Sequence, residues 1–170
     1  MRHITLITTG GTIEKTYDEA SGTLENRRSI VGRMLSRLRL EDTQVCCTEL
    51  MSKDSLYMTE EDRAAIVAAV REAASVTPPP VGIVILHGTD TLELTGERLY
   101  RELQPCPLPV VLTGAMRPYE MKRSDALQNL TEAIFAAGVL PPGVYCVAHG
   151  RALPFPGVTR DRGRRTFVRK

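Results

Sequence analysis

Apolar positions along this 170-residue chain follow two alternating rhythms. Short unbroken runs of aliphatic and β-branched residues, starting with Ile4 to Ile7, read as strands covered on both faces. Val81-Gly82-Ile83-Val84-Ile85-Leu86 is the clearest of them, and Gln44 to Met51, Pro109 to Thr113 and Val144 to Ala148 supply three more. Between these runs apolar residues recur every three or four positions. Met34, Leu35 and Leu38 predict a helix over Val31 to Leu40, with Ser29 as its N-cap. Thr59-Glu60-Glu61-Asp62 has the form of a capping box, and its acids suit the positive end of a helix dipole. Behind it Ile66, Ala69, Val70 and Ala73 form one stripe, and Pro78-Pro79-Pro80 ends the helix. A third helix runs from Thr91 to about Leu103. A fourth begins at Ser124 and spaces Leu127, Leu130, Ile134 and Ala137 in a 3-4-3 pattern. Strands separated by helices in this way predict a doubly wound, mostly parallel α/β sheet with helices on both faces, in one domain over residues 1–170.

If the five strands take the order 2-1-3-4-5, the loops after the first and third flank the topological switch point, where ligands bind. The first of these loops reads Thr8-Thr9-Gly10-Gly11-Thr12-Ile13. Its glycine pair permits a tight turn and a close backbone approach. Alone, the pair reads as a plain strand-ending turn or as a phosphate cradle, though it fits neither G-x-G-x-x-G nor the P-loop pattern. The loop also offers the Thr12 hydroxyl and, five residues on, the phenol of Tyr17. A threonine hydroxyl is a weak nucleophile until a base and a dry, electropositive site activate it. The polar stretch Glu14 to Arg28 around Tyr17 reads as mobile. In the other loop, His87-Gly88-Thr89-Asp90-Thr91, a hydroxyl sits beside a carboxylate. Asp90 or Thr91 can cap the following helix; equally, Asp90 can hold an ammonium group and Thr89 a water. Gly114-Ala115-Met116-Arg117-Pro118 adds a third loop to the same rim.

Composition narrows the partners. At 42% apolar and 25% charged residues the chain is an ordinary globular protein, and its net charge of +2 is too small to imply nucleic-acid binding by the whole molecule. The charge is uneven: Arg151, Arg160, Arg162, Arg164, Arg165, Arg169 and Lys170 face only Asp161 in a basic tail over 151–170, read here as a solvated or subunit-contacting segment. No apolar run reaches the roughly 20 residues of a membrane span. The amino terminus lacks a signal-peptide pattern. Cys46, Cys47, Cys106 and Cys146 have no CxxC spacing and read as small buried hydrophobes of a reducing compartment, the cytoplasm. No Cys, His or acid cluster has metal-ligand spacing, so His87 and His149 read as structural.

Three motifs, Thr8-Thr9-Gly10-Gly11-Thr12-Ile13, His87-Gly88-Thr89-Asp90-Thr91 and Gly114-Ala115-Met116-Arg117-Pro118, occur in the order and spacing of the bacterial-type L-asparaginase/glutaminase family. The chain resembles that family's amino-terminal domain from residue 4 to about residue 150. The resemblance implies hydrolysis of the side-chain amide of asparagine to aspartate and ammonia, without metal or organic cofactor. Apolar surface where a second domain would pack predicts a dimer or larger homo-oligomer, and composition places it in the cytoplasm with no nucleic-acid or membrane partner. By motif, Thr12 is the nucleophile that forms an acyl-enzyme, Tyr17 is the catalytic tyrosine of a lid, and Thr89 is the second catalytic threonine. Ser52 binds the substrate α-carboxylate, Asp90 the α-amino group, and the Ala115 carbonyl the amide nitrogen. Gly11 and Gly88 contribute backbone groups.

Two departures stand out. The family has a second domain that helps close the site, and this sequence stops short of one. The family also has a lysine against the second threonine, where this chain has Arg160. Arginine stays protonated, so Arg160 can order Thr89 and Asp90 but cannot take a proton. Hydrolysis of glutamine or another small amide, and a non-catalytic amino-acid-binding module, are the alternative readings.

Overall fold

Successive side chains of a strand point to opposite faces, and here that alternation divides one sheet's residues between two cores. The computed structural model describes all 170 residues. The chain runs β1 (Arg2–Gly10), β2 (Thr16–Asp18), β3 (Thr23–Glu25), α1 (Val31–Leu35), β4 (Thr43–Lys53), α2 (Glu60–Ser75), β5 (Gly82–Leu86), α3 (Leu92–Glu102), β6 (Pro109–Thr113), α4 (Ala126–Ala137), β7 (Gly143–Ala148), β8 (Arg151–Pro154), β9 (Val158–Asp161) and β10 (Thr166–Arg169). The main sheet has the order β4-β1-β5-β6-β7-β8. Its first five strands are parallel and β8 is antiparallel to β7. Ile7, Ile83, Ile85, Val110 and Leu112 pack under α2 and α3 against Ile66, Val70, Leu92 and Leu99. Ile4, Leu6, Val84, Leu86 and Val111 face the other way, onto Met34 of α1 and Leu130 and Ile134 of α4. This is the doubly wound arrangement with the expected strand order, so the loops after β1 and β5 adjoin at the switch point.

The capping box forms: Thr59 Oγ1 accepts from the Asp62 amide at 3.2 Å, and the Asp62 carboxylate accepts from the Thr59 amide at 2.9 Å. Other expectations need correction. The helix predicted over Val31 to Leu40 ends at Leu35, where the Ser36 hydroxyl donates to the Arg33 carbonyl and competes with the helical ladder. The polar stretch around Tyr17, given no elements above, contains a β2–β3 hairpin in which Asp18 bonds Ser21 at 2.8 Å and Arg27 at 2.5 Å. Cys46 and Cys47 are exposed, because β4 is an edge strand. The basic tail is not a solvated segment. It forms β8 and the β9–β10 hairpin, and it buries Phe155, Val158 and Phe167 in the core beneath α3. Its arginines outnumber these apolar residues, so the charge along the sequence hid three buried positions. No helix is long and apolar enough to cross a membrane.

Candidate active site

Four loops meet at the carboxyl ends of β4, β1, β5 and β6, with glycines where their backbones touch. A Cβ on Gly10 would stand 2.5 Å from the Lys53 amide nitrogen, and one on Gly11 would stand 2.4 Å from that of Gly88. On Gly88 it would meet Ser55 Oγ at 2.4 Å, and on Gly114 it would meet the His87 carbonyl oxygen at 2.3 Å and Thr89 Cγ2 at 3.2 Å. No side chain fits such gaps, so contact at this range needs glycine. Threonines at the strand ends lock the register. Thr9 Oγ1 donates to the Leu86 carbonyl at 2.7 Å, and Thr113 Oγ1 to the Val147 carbonyl at 2.6 Å. The segments carrying Thr12, Ser52, Thr89-Asp90 and Ala115 are thereby gathered at one end of the sheet.

Thr12 opens a short 3-10 turn, Thr12–Glu14, and is half-buried; Thr89 is buried. Asp90 is held by two cations: Arg160 Nη1 donates to its Oδ1, and Arg162 Nη2 lies 3.4 Å from the same oxygen. The β9–β10 hairpin that supplies them is strapped to α3. The Arg160 amide donates to Glu93 at 2.8 Å and the Gly157 amide to Glu97 at 2.6 Å. Arg160 Nε is buried without a partner. Ala115 is buried in the loop after β6.

Ser52 lies where the β1–β4 register slips. Thr8 pairs with Glu49 but Gly10 pairs with Lys53, so β4 advances four residues while β1 advances two. Bulges of this kind re-aim side chains beside active sites. The Ser52 hydroxyl is buried with no partner, and so is that of Ser55, which sequence reading passed over. Ser55 Oγ lies against the Cα of Gly88, and the Ser55 carbonyl accepts from Thr91 Oγ1 at 2.9 Å. Its signal in the sequence is Asp54-Ser55 directly after a strand: Asp54 caps the turn Ser55–Tyr57 by accepting from the Leu56 amide at 3.0 Å. Burial opposes ionisation of Asp54, but the Lys15 ammonium at 2.6 Å and the Leu56 amide hold its carboxyl below the usual range.

Tyr17 is not gathered with these groups. It lies on the outer hairpin, 58% exposed, with its hydroxyl over the turn at Gly22. The hairpin is fastened at its base by Glu14, a second residue that sequence reading missed because a lone acid in a polar stretch looks solvated. Glu14 is buried. Its carboxylate accepts from the Gly10 amide at 3.3 Å, the Ile30 amide at 3.2 Å and the Ser29 hydroxyl. Burial raises its pKa despite these donors. Asn26 Nδ2 adds a bond to the Gly11 carbonyl at 2.8 Å, and the Tyr17 amide donates to Glu120 at 3.0 Å.

The assembled groups are hydroxyls, a carboxylate neutralised by guanidinium groups, and buried hydroxyls with unused hydrogen-bonding capacity. This is equipment for acyl transfer through a hydroxyl. Residues 3–165 match the family described as Asparaginase, N-terminal. The chain belongs to this family. It is 34% identical over 137 residues to the L-asparaginase of Thermococcus kodakarensis, covering 81% of this chain and 41% of that one. It is 30% identical over 158 residues to a glutamyl-tRNA(Gln) amidotransferase subunit of Methanococcus vannielii, covering 88% of this chain and 35% of that one. The solved T. kodakarensis L-asparaginase superposes with a TM-score of 0.85 at 29% identity, over 98% of this chain and 51% of that one. L-asparaginase I of Vibrio cholerae gives 0.83 at 26% identity, over 99% and 51%. The chain thus spans about half or less of the length of these relatives.

Proposed function

We propose that this chain is an amidohydrolase and that it cleaves the side-chain amide of L-asparagine. In this reading Thr12 Oγ1 attacks the amide carbon and gives up its proton, the C–N bond breaks, and ammonia leaves with a proton. The acyl-threonine ester is then hydrolysed by a water held at Thr89, releasing aspartate and restoring the hydroxyl. Tyr17 serves proton transfer when its hairpin closes over the site. Ser52 and Ser55 donate to the substrate carboxylate, with Gly11 and Gly88 supplying backbone donors, and the Ala115 carbonyl accepts from the amide nitrogen. Asp90 receives the ammonium group on the side its arginines leave open. Arg160 supplies charge, not a proton acceptor. The enzyme works in the cytoplasm as a dimer or larger assembly, without metal or cofactor.

The observation that carries this reading is the glycine contact set, above all Gly11 against Gly88, which puts the Thr12 and Thr89 loops side by side. Ammonia release from L-asparagine by the purified chain tests it, with Thr12→Ala and Thr89→Val each expected to abolish turnover. The M. vannielii relative favours a second reading, in which the same chemistry serves an amidotransferase assembly. Aspartate binding without ammonia release from asparagine or glutamine would favour a binding module or a subunit awaiting its partner.

A further inference from the structure

The acceptor role given to the Ala115 carbonyl demands that a loop backbone be held to a fraction of an ångström, and the side chains that hold it lie outside the motifs. Gly114 O accepts from Asn129 Nδ2 at 2.8 Å. On the other side of Ala115, the Met116 and Arg117 amides donate to Asp125 Oδ1 at 3.0 and 3.1 Å. These bonds flanking Ala115 are therefore all made by the start of α4. Asp125 is the N-cap residue of α4, yet its side chain caps nothing in that helix. An aspartate in that place ordinarily satisfies its own helix's amides; this one serves the loop instead.

The two side chains are themselves tied down. Asn129 Nδ2 also donates to Asp125 Oδ2 at 3.0 Å, which leaves Asn129 Oδ1 to accept from the His149 amide at 3.1 Å. The His149 ring bridges Asp125 Oδ2, 2.7 Å from Nε2, and Thr166 Oγ1 of β10, 2.8 Å from Nδ1. His149 holds a φ of 54° to do so. Burial opposes ionisation of Asp125, but the Met116 amide, His149 and the Arg117 amide keep its carboxyl below the usual range.

We infer that Asp125 and Asn129 are positioning residues that fix the Ala115 carbonyl as acceptor for the amide nitrogen of the substrate, with His149 anchoring them to the β9–β10 hairpin. The inference rests on the amidohydrolase reading above. It makes a distinction that general damage to the fold does not. Asparagine offers N–H donors to that carbonyl, whereas aspartate puts a second oxygen there and gains nothing from it. A displaced loop therefore costs amide hydrolysis and spares aspartate binding.

The test uses the full chain with Asn129→Ala, Asp125→Ala and Asp125→Asn, reading kcat/KM for L-asparagine, competitive inhibition by L-aspartate, and the melting temperature. Asn129→Ala and Asp125→Ala are expected to lower kcat/KM by about thirtyfold or more, in line with the cost of ångström-scale misplacement, and to leave aspartate inhibition within about threefold. Asp125→Asn keeps one acceptor for the Met116 and Arg117 amides but turns a donor toward Asn129 Nδ2, and is expected to recover part of the loss. Equal losses in hydrolysis and aspartate binding, or unchanged hydrolysis in folded Asn129→Ala, would overturn the assignment while leaving the amidohydrolase reading intact. Absence of turnover by the intact chain would overturn that reading, and this assignment with it.

Discussion

Gly11 rests on Gly88 so closely that a Cβ on Gly11 would stand 2.4 Å from the Gly88 amide nitrogen and 2.5 Å from its Cα. The residue after each glycine is a threonine, so this one backbone contact brings Thr12 and Thr89 together. Gly11 also has φ 82° and ψ 179°, a conformation open in practice only to glycine. Gly11→Ala is expected to destabilise the fold by about 2 kcal/mol or more and to remove most activity. Urea denaturation beside the ammonia assay checks both.

Glu14 has three donors and no cation: its partners are the Gly10 and Ile30 amides and the Ser29 hydroxyl. Glu14→Ala leaves buried donors unpaired at both ends of the hairpin segment, at a cost of about 2 kcal/mol. The expected signature is faster tryptic cleavage after Lys15, Arg27 or Arg28, ahead of global unfolding. Uniform cleavage across the chain would refute the fastening role.

His87 is fully buried, with Nδ1 2.8 Å from the Gly88 carbonyl and Nε2 2.8 Å from Thr95 Oγ1. Burial pushes its pKa down to about 4. Well above the ordinary histidine pKa of about 6.5 the imidazole is neutral in both folded and unfolded chains and the contribution is constant. As pH falls from about 6.5 toward 4, the unfolded chain takes up a proton that the folded chain refuses, so stability is lost across that window. The expected loss between about pH 7 and pH 4.5 is about 2–3 kcal/mol. Parallel urea titrations should show a shallower loss for His87→Gln.

Arg160 and Asp90 form an ion pair in which the arginine cannot give up its proton. Arg160→Lys keeps the pair and is expected to stay within about tenfold of the parent kcat/KM; Arg160→Ala leaves Asp90 with exposed Arg162 alone and is expected to lose about a hundredfold. If both variants behave alike in the ammonia assay, the pair does not order the site.

Much of this was legible in the chain. The runs at Ile4, Val81, Pro109 and Val144 read as buried strands because both their faces are apolar, and the capping box at Thr59 is local chemistry. The three motif loops were legible for the same reason, since each sits directly after a strand. Ser55 was passed over because its place against Gly88 depends on how the segment after β4 meets the β5 loop, which is not written in composition. The tail looked solvated because its arginines outnumber Phe155, Val158 and Phe167, which pack beneath α3.

By itself the sequence determined the five parallel strands and the helices between them, their order along the chain and the presence of Thr12, Thr89, Asp90 and Ala115 in loops, because these depend on residues a few positions apart. Only the tertiary structure decided which backbones touch and what holds them. It put Gly11 on Gly88, Arg160 and Arg162 on Asp90, and Asp125 with Asn129 around Ala115. It also left Tyr17 on the outside of its hairpin. Those relationships join residues far apart in the chain. They are set by strand order, register and the exclusion of side chains from gaps under 3.0 Å, quantities that exist only once the sheet has closed.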